Sequence, residues 1–153
     1  MKSVQEYVMN FNSRMKMNFQ GGDLTSDAGL LLYKEFDHKL GLSESVEELL
    51  VVHDSAFHRE HPNSDVVLQK MYQHIAGYHT DDHADDLAVE PFLTALLGKN
   101  RLASQPTVSR FNEKADMATA KDLISSINHS SSNSYVRTTR MALFFSSPRI
   151  GLF

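Results

Sequence analysis

With 153 residues and no cysteine, the chain suits one domain of ordinary size and excludes disulfides and thiolate metal sites. Its hydrophobic fraction of 41% allows a packed core, and no apolar run approaches the length of a membrane span. A soluble, cytoplasmic protein is therefore expected.

The net charge of −4 is distributed unevenly along the chain. Residues 1–20 carry three bases and one acid (+2), residues 21–98 carry four bases and fifteen acids (−11), and residues 99–153 carry eight bases and three acids (+5). A DNA phosphate backbone would be repelled by the middle segment and attracted by the last third.

The amino-terminal third predicts a short strand or hairpin and then a helix. Alternating apolar and polar residues from Met15 to Phe19 favour the strand. Thr25 or Ser26 can cap the helix, and Gly41 suits its carboxyl end. Residues that recur every four positions form one predicted apolar stripe: Ala28, Leu32, Phe36 and Leu40.

Two more helices are predicted in the acidic middle of the chain. Ser45 and Glu48 fit a capping box at the start of a short helix that ends near Val52. Ser64 can cap the next helix, which Gly77 would end. The predicted buried face of that helix consists of Val67, Leu68, Met71, Tyr72 and Ile75.

The carboxyl half predicts three further helices. The first spans Val89–Leu97 and stops at Gly98, and the second is capped by Ser104 and runs to about Lys114. The third spans residues 118–127. The inward side chains of the second helix are expected to be Val108 and Phe111.

These elements predict a mainly α fold. A small helical domain over residues 1–128 begins with the short strand or hairpin. Residues 129–153 are rich in serine and other polar residues, and the chain has no acid after Asp122. This composition is typical of a poorly ordered tail.

Residues 95–114 have the outline of a helix-turn-helix, with a glycine in the turn. Arginine and glutamine can make paired hydrogen bonds to base edges, and serine or threonine can contact phosphates. An ordinary capped surface helix has the same pattern, and a turn running to Ala103 is longer than usual. The predicted DNA-binding residues, with the first two in the turn, are Lys99, Arg101, Gln105, Thr107, Ser109, Arg110 and Lys114.

Two clusters of histidine and aspartate raise metal binding or hydrolysis as alternatives. His79 and His83 are four residues apart, which would place both on one helix face. A solvated acidic segment, with Asp81 and Asp82 at a helix start, is the simpler interpretation. The second cluster accompanies no nucleophile motif and comprises His53, Asp54, His58 and His61. We assign no catalytic and no metal-binding residue.

Three stretches in series resemble transposases of bacterial insertion sequences, in the transposase DDE domain group 1 family. They are GGDLTSDAGLLLYKEFDHKLGL (21–42), QKMYQHIAGYHTDDHADDLAVEPFLTALLG (69–98) and LASQPTVSRFNEK (102–114). The resemblance covers about Met17 to Asn128. It implies a helical region that precedes an RNase H-like catalytic domain, in enzymes that bind the terminal inverted repeats of the element.

The resemblance also implies which chemistry to look for. In such enzymes two aspartates and a glutamate hold two divalent metal ions, Mg²⁺ or Mn²⁺, which activate the attacking oxygen and stabilise the leaving one. Where the first catalytic aspartate is expected, this chain has its serine-rich segment, without Asp or Glu. We therefore expect a truncated or frameshifted transposase that binds DNA, holds no cofactor and is inactive in strand transfer.

Three alternatives stay open. The chain could be a protein-interaction module that pairs with full-length transposase and inhibits it. It could be a non-functional remnant of a decayed reading frame. The least favoured alternative is an independent metal hydrolase that uses the histidine and aspartate clusters.

Overall fold

The computed structural model describes residues 6–18, 27–52, 59–115 and 117–130. Within these ranges a two-stranded hairpin precedes seven helices, which confirms the predicted mainly α fold. The elements are β1 (Tyr7–Val8), β2 (Lys16–Met17), α1 (Leu30–Leu40), α2 (Leu42–Leu49), α3 (Asn63–Ala76), α4 (His83–Leu87), α5 (Pro91–Leu97), α6 (Gln105–Lys114) and α7 (Met117–Ser130). The predicted caps at 25 and 26, and the predicted tail from residue 131 onward, lie outside the described residues.

The hairpin is held to α1 by Asn10, which lies in the loop between β1 and β2. β1 and β2 pair antiparallel, with Tyr7 opposite Met17. Asn10 donates its backbone N–H to Glu35 Oε2 at 2.8 Å and its side-chain amide to Glu35 Oε1. The side-chain hydrogen bond from Asn10 lowers the pKa of Glu35. Met9 is buried in the main core, so the hairpin belongs to the helical domain.

Helix α1 buries a different row of residues from the predicted stripe. Leu30 and Leu31 are buried, whereas Leu32 is 55% exposed. The other three members of the stripe are only half-buried. The prediction was wrong because hydrophobic spacing takes no account of buried polar groups, and the core-facing side of α1 carries Asp37.

Asp37 is the centre of a buried polar network that joins α1, α2 and α3. Its carboxylate accepts hydrogen bonds from Lys34 Nζ at 2.9 Å, from the Ser43 backbone N–H at 2.7 Å and from the Tyr72 hydroxyl at 2.8 Å, and also from the Ser43 hydroxyl. Burial alone would raise the pKa of Asp37, but hydrogen bonds from Ser43, Lys34 and Tyr72 outweigh it and lower that pKa. Burial, together with the Asp37 charge, raises the pKa of Tyr72.

Helix α2 begins earlier than the predicted capping box. It starts at Leu42, directly after Gly41, whose φ of 62° ends α1 in the left-handed conformation. Ser45 lies inside the helix and donates its hydroxyl to the Gly41 carbonyl at 2.6 Å. The capping-box interpretation was therefore wrong, because one glycine both ends α1 and precedes α2.

Helix α3 is central and packs against α1, α2 and α6. It begins at Asn63, so Ser64 lies inside it, and it ends at Gly77, as predicted. Three of the five predicted buried residues are buried, and the other two are half-buried. The buried residues of α3 are Val66, Leu68, Gln69, Met71, Tyr72 and Gln73.

The helices of the carboxyl half lie close to their predicted positions. Helix α5 starts at Pro91 and is capped by Glu90, whose carboxylate accepts the Leu93 N–H at 2.6 Å. Helix α7 reaches Ser130 and packs against α2 through Leu123 and Ile127. No helix in the described ranges is long and apolar enough to cross a membrane.

Candidate nucleic-acid interface

Helix α6 has one anchored face and one exposed basic face. Val108 is fully buried and Phe111 is 7% exposed, which confirms that both point inward. They belong to a cluster that α6 shares with α3 and α4, whose other buried members are Val66, Ala84 and Ala103. On the opposite side two cations, Arg110 and Lys114, are exposed together with one carboxylate, Glu113. The packing of α6 therefore holds two cations toward solvent.

The five predicted side chains on α6 differ in their exposure. Gln105, Thr107 and Ser109 are half-buried, whereas Arg110 and Lys114 are exposed. Gln105 donates its side-chain amide to Ser109 Oγ at 3.1 Å, and the Thr107 hydroxyl lies 3.4 Å from that of Ser104. These polar groups form a rim beside the exposed basic pair.

Arg110 is partly oriented by its own helix. Its Nε–H donates to the Pro106 carbonyl at 2.9 Å, four residues earlier. Its two Nη groups make no hydrogen bond to the part of the chain that the structure describes. The guanidinium therefore keeps its paired terminal donors for an external acceptor.

The turn before α6 is held by backbone and side-chain hydrogen bonds. The buried Gln69 amide donates to the Ala103 carbonyl at 2.8 Å and accepts the Ala103 N–H at 2.7 Å. Leu102 donates its N–H to the Ala88 carbonyl at 2.9 Å. The entry into α6 is thus fixed to α3 and to the end of α4.

The first turn of α6 is capped by a residue of another helix. Ser104 occupies the predicted N-cap position, but its side chain makes no capping hydrogen bond. Instead Asp85 Oδ1 accepts the Gln105 N–H at 2.8 Å. The sequence therefore predicted the N-cap position correctly, but the carboxylate that accepts the first helix amide belongs to Asp85 of α4.

A second polar contact holds the carboxyl half of α6. Lys70 Nζ donates to Asn112 Oδ1 at 2.8 Å and to Asp81 Oδ1 at 3.0 Å, and Asn112 Nδ2 donates to Asp81 Oδ2 at 2.6 Å. This triangle ties α3, the segment before α4 and α6 together. Asp81 therefore has a structural role, and no pattern in the sequence indicated Lys70 or Asn112 as its partners.

The two predicted residues of the turn, Lys99 and Arg101, border a small cleft beside α3. Lys99 Nζ is 2.7 Å from Asp65 Oδ2. Arg101 is exposed and lines, with Lys99 and His61, a small cleft of about 50 Å³. On α3 the cleft is lined by Asp65, Leu68 and Gln69, and Gln69 also holds Ala103 at the entry into α6. The candidate residues therefore divide into a turn pair and an α6 group.

The order of the elements agrees with the helix-turn-helix interpretation. Helix α5, the turn and α6 follow one another as expected. Helix α6, however, packs chiefly against α3 and α4. Packing of α5 on α6 in the manner of a helix-turn-helix stays a prediction.

The histidines of the acidic segment do not share a helix face. Helix α4 begins at His83, and His79 lies before it because a turn at residues 81–82 intervenes. The His79 ring packs edge-on near His74, and the His83 ring near Tyr78. Among the described residues no three His, Asp or Glu side chains converge in a group that could hold a metal ion.

The structure describes only part of the second histidine cluster. His53, Asp54 and His58 lie outside the described residues, so the alternative of hydrolysis at this cluster is not tested there. His61 is half-buried and borders the cleft beside Lys99.

A family model described as Transposase DDE domain group 1 matches residues 8–144. The chain belongs to this family. No curated protein and no solved structure matches it. The match to the transposase family begins before Met17 and continues past Asn128, so it is longer than the three motifs indicated. Membership in a transposase family links the chain to DNA transposition and makes DNA its general partner.

Proposed function

We propose that the helical domain of this transposase-family chain binds DNA at the terminal inverted repeats of its insertion element, through the exposed face of α6. The proposal rests on the two sides of α6. Val108 and Phe111 are buried and fix the helix in the core, whereas the cations Arg110 and Lys114 are exposed. Family membership supports DNA as the partner.

The two cations of α6 have different tasks in this proposal. Arg110 offers paired donors, the arrangement that matches the O6 and N7 acceptors of guanine in the major groove. Lys114 is a flexible point charge suited to a phosphate. Gln105, Thr107 and Ser109 lie at the rim of this surface, where hydroxyl and amide groups can position the backbone.

The turn pair contributes less to binding. Lys99 is already 2.7 Å from Asp65, so a phosphate must compete with an existing partner. Arg101 is exposed and would act as a backbone contact on the cleft side.

We further propose that residues 1–153 bind DNA and do not cut it. Asp37, Asp81 and Asp85 hold the fold through hydrogen bonds to neighbouring helices. The serine-rich segment has no Asp or Glu after Asp122, so it offers no carboxylate to a pair of metals. No metal cofactor is assigned.

Fluorescence anisotropy tests the proposal on a duplex that carries the element's terminal repeat and on a shuffled duplex. Arg110→Ala is expected to weaken binding to the repeat by about 1–3 kcal/mol and to reduce its preference over the shuffled duplex. Lys114→Ala is expected to weaken both duplexes alike and to reduce the salt slope by about 1.

Lys39→Ala is the matched control, because it removes an exposed cation from α1. It is expected to leave both affinities unchanged. Affinities of the Arg110 and Lys114 variants equal to that of the control would remove α6 from the interface.

A protein partner is the second candidate function, and one observation favours it. Leu32 and Tyr33 are 55% and 52% exposed on α1, a helix that packs against α2 and α3. Such side chains could contact full-length transposase. Co-purification of the two proteins without DNA, lost in Leu32→Asp, would support this function, and separate elution would dismiss it.

A further inference from the structure

The amino-terminal end of α6 is already engaged by the protein's own carboxylate. The first amides of a helix have no partner within the helix and carry partial positive charge, which suits them to phosphate. Here the Gln105 N–H donates to Asp85 Oδ1 at 2.8 Å, while Ser104 supplies no side-chain cap. A phosphate approaching this helix end would have to displace Asp85.

Asp85 stands in an acidic surface beside α6. Asp82, Asp85 and Asp86 are all exposed on or next to α4. Helix α4 is packed against α6, with Ala84 fully buried in the cluster they share. Asp81 is paired with Lys70, but the described residues place no cation within ion-pair distance of the other three. Uncompensated negative charge therefore borders the start of the basic face.

We propose that Asp85 is a specificity-determining residue of the DNA-binding surface. By occupying the first amide of α6 and repelling phosphate, it prevents the helix end from serving as a sequence-independent anchor. Binding then depends on the side chains of Arg110 and Lys114. This inference rests on the proposed function and assigns Asp85 the role of limiting contacts to the phosphate backbone.

Two substitutions separate the charge of Asp85 from its hydrogen bond. Asp85→Asn keeps an oxygen that can accept the Gln105 N–H but removes the charge, and Asp85→Ala removes both. At low salt Asp85→Asn is expected to bind a shuffled duplex about two- to fivefold more tightly than the natural chain. Asp85→Ala should bind it at least as tightly as Asp85→Asn, because the amide is then open to phosphate.

The preference for the terminal repeat over the shuffled duplex should fall in both variants. The gain in affinity for the shuffled duplex should shrink with added salt, because salt screens the repulsion between Asp85 and phosphate that the substitutions remove. Glu48→Gln is the matched control: it removes an exposed carboxylate from α2, a helix packed against α1, α3 and α7. It should stay within about twofold of the natural chain. Circular dichroism confirms that each variant is folded.

The outcomes distinguish this inference from the function on which it rests. If folded Asp85 variants bind the shuffled duplex no more tightly than Glu48→Gln, while Arg110→Ala still weakens binding to the repeat, only the inference is overturned. If the natural chain binds neither duplex, both are overturned. Tighter binding with unchanged preference for the repeat also contradicts a role in specificity.

Discussion

Replacing Tyr72 by Phe tests the buried network that joins α1, α2 and α3. The substitution removes only the hydroxyl that donates to Asp37 at 2.8 Å. The ring stays in the core, and Lys34 Nζ, 5.3 Å from its centroid, keeps its cation–π contact. Asp37 retains its donors from Lys34 and Ser43. The expected effect is therefore that of a single hydrogen bond to a charged acceptor.

A hydrogen bond to a charged group contributes about 1.5–3 kcal/mol, so Tyr72→Phe should lower the free energy of unfolding by about 2 kcal/mol. For a chain of this size that corresponds to a drop in melting temperature of about 4–8 °C. Urea denaturation followed by circular dichroism measures the change. Tyr33→Phe is the control, because Tyr33 is 52% exposed on α1 and its hydroxyl should contribute less than about 0.5 kcal/mol.

The pH dependence gives a sharper test of the same network. The pKa of Asp37 lies below its ordinary value of 3.8 in the folded chain. The network's contribution is therefore fully present above that value and is lost as pH falls through the lower folded pKa. The difference in the free energy of unfolding between the natural chain and Tyr72→Phe should therefore become smaller below pH 3.8. Equal stability of the two phenylalanine variants at neutral pH would show that the Tyr72 hydroxyl does not stabilise the network.

Three further substitutions have clear expected outcomes. Leu93→Ala should lower the free energy of unfolding by about 2–5 kcal/mol in urea, whereas Leu32→Ala should change it by less than about 0.5 kcal/mol, since Leu93 is fully buried and Leu32 is exposed. Gly77→Ala should cost about 1 kcal/mol in thermal melts because φ is +95°, while Gly29→Ala, at φ −58°, should be neutral or stabilising. Gln69→Leu should cost about 2–4 kcal/mol and speed hydrogen exchange at the Ala103 amide, which loses its buried acceptor.

Sequence patterns predicted the elements that depend on local chemistry. Gly41, Gly77 and Gly98 end their helices with positive φ, and glycine is the residue that accepts this conformation. The inward pair on α6, Val108 and Phe111, follows from three-residue spacing on a helix that needs one buried face. Helix ends and helical spacing depend on residues only a few positions apart, so the sequence alone is enough to predict them.

The predictions that were wrong depend on partners distant in sequence. The stripe through Leu32 was wrong because the Asp37 network orients α1, and its donor Tyr72 is 35 residues away. Asp85 caps α6 from 20 residues upstream, and Gln69 holds Ala103 across 34 residues. No spacing rule connects these pairs, since tertiary packing brings them together. The family resemblance, by contrast, was carried by ordered motifs and is confirmed over residues 8–144.

The most direct test of DNA binding by α6 is an amide chemical-shift titration of the isotopically labelled chain with the terminal-repeat duplex. If α6 contacts the duplex, the largest perturbations should occur over Gln105–Lys114, with Arg110 and Lys114 among the strongest and the amides of α2 little changed. Perturbations concentrated on α1 or α2, with α6 unaffected at saturating duplex, would contradict this mode of binding.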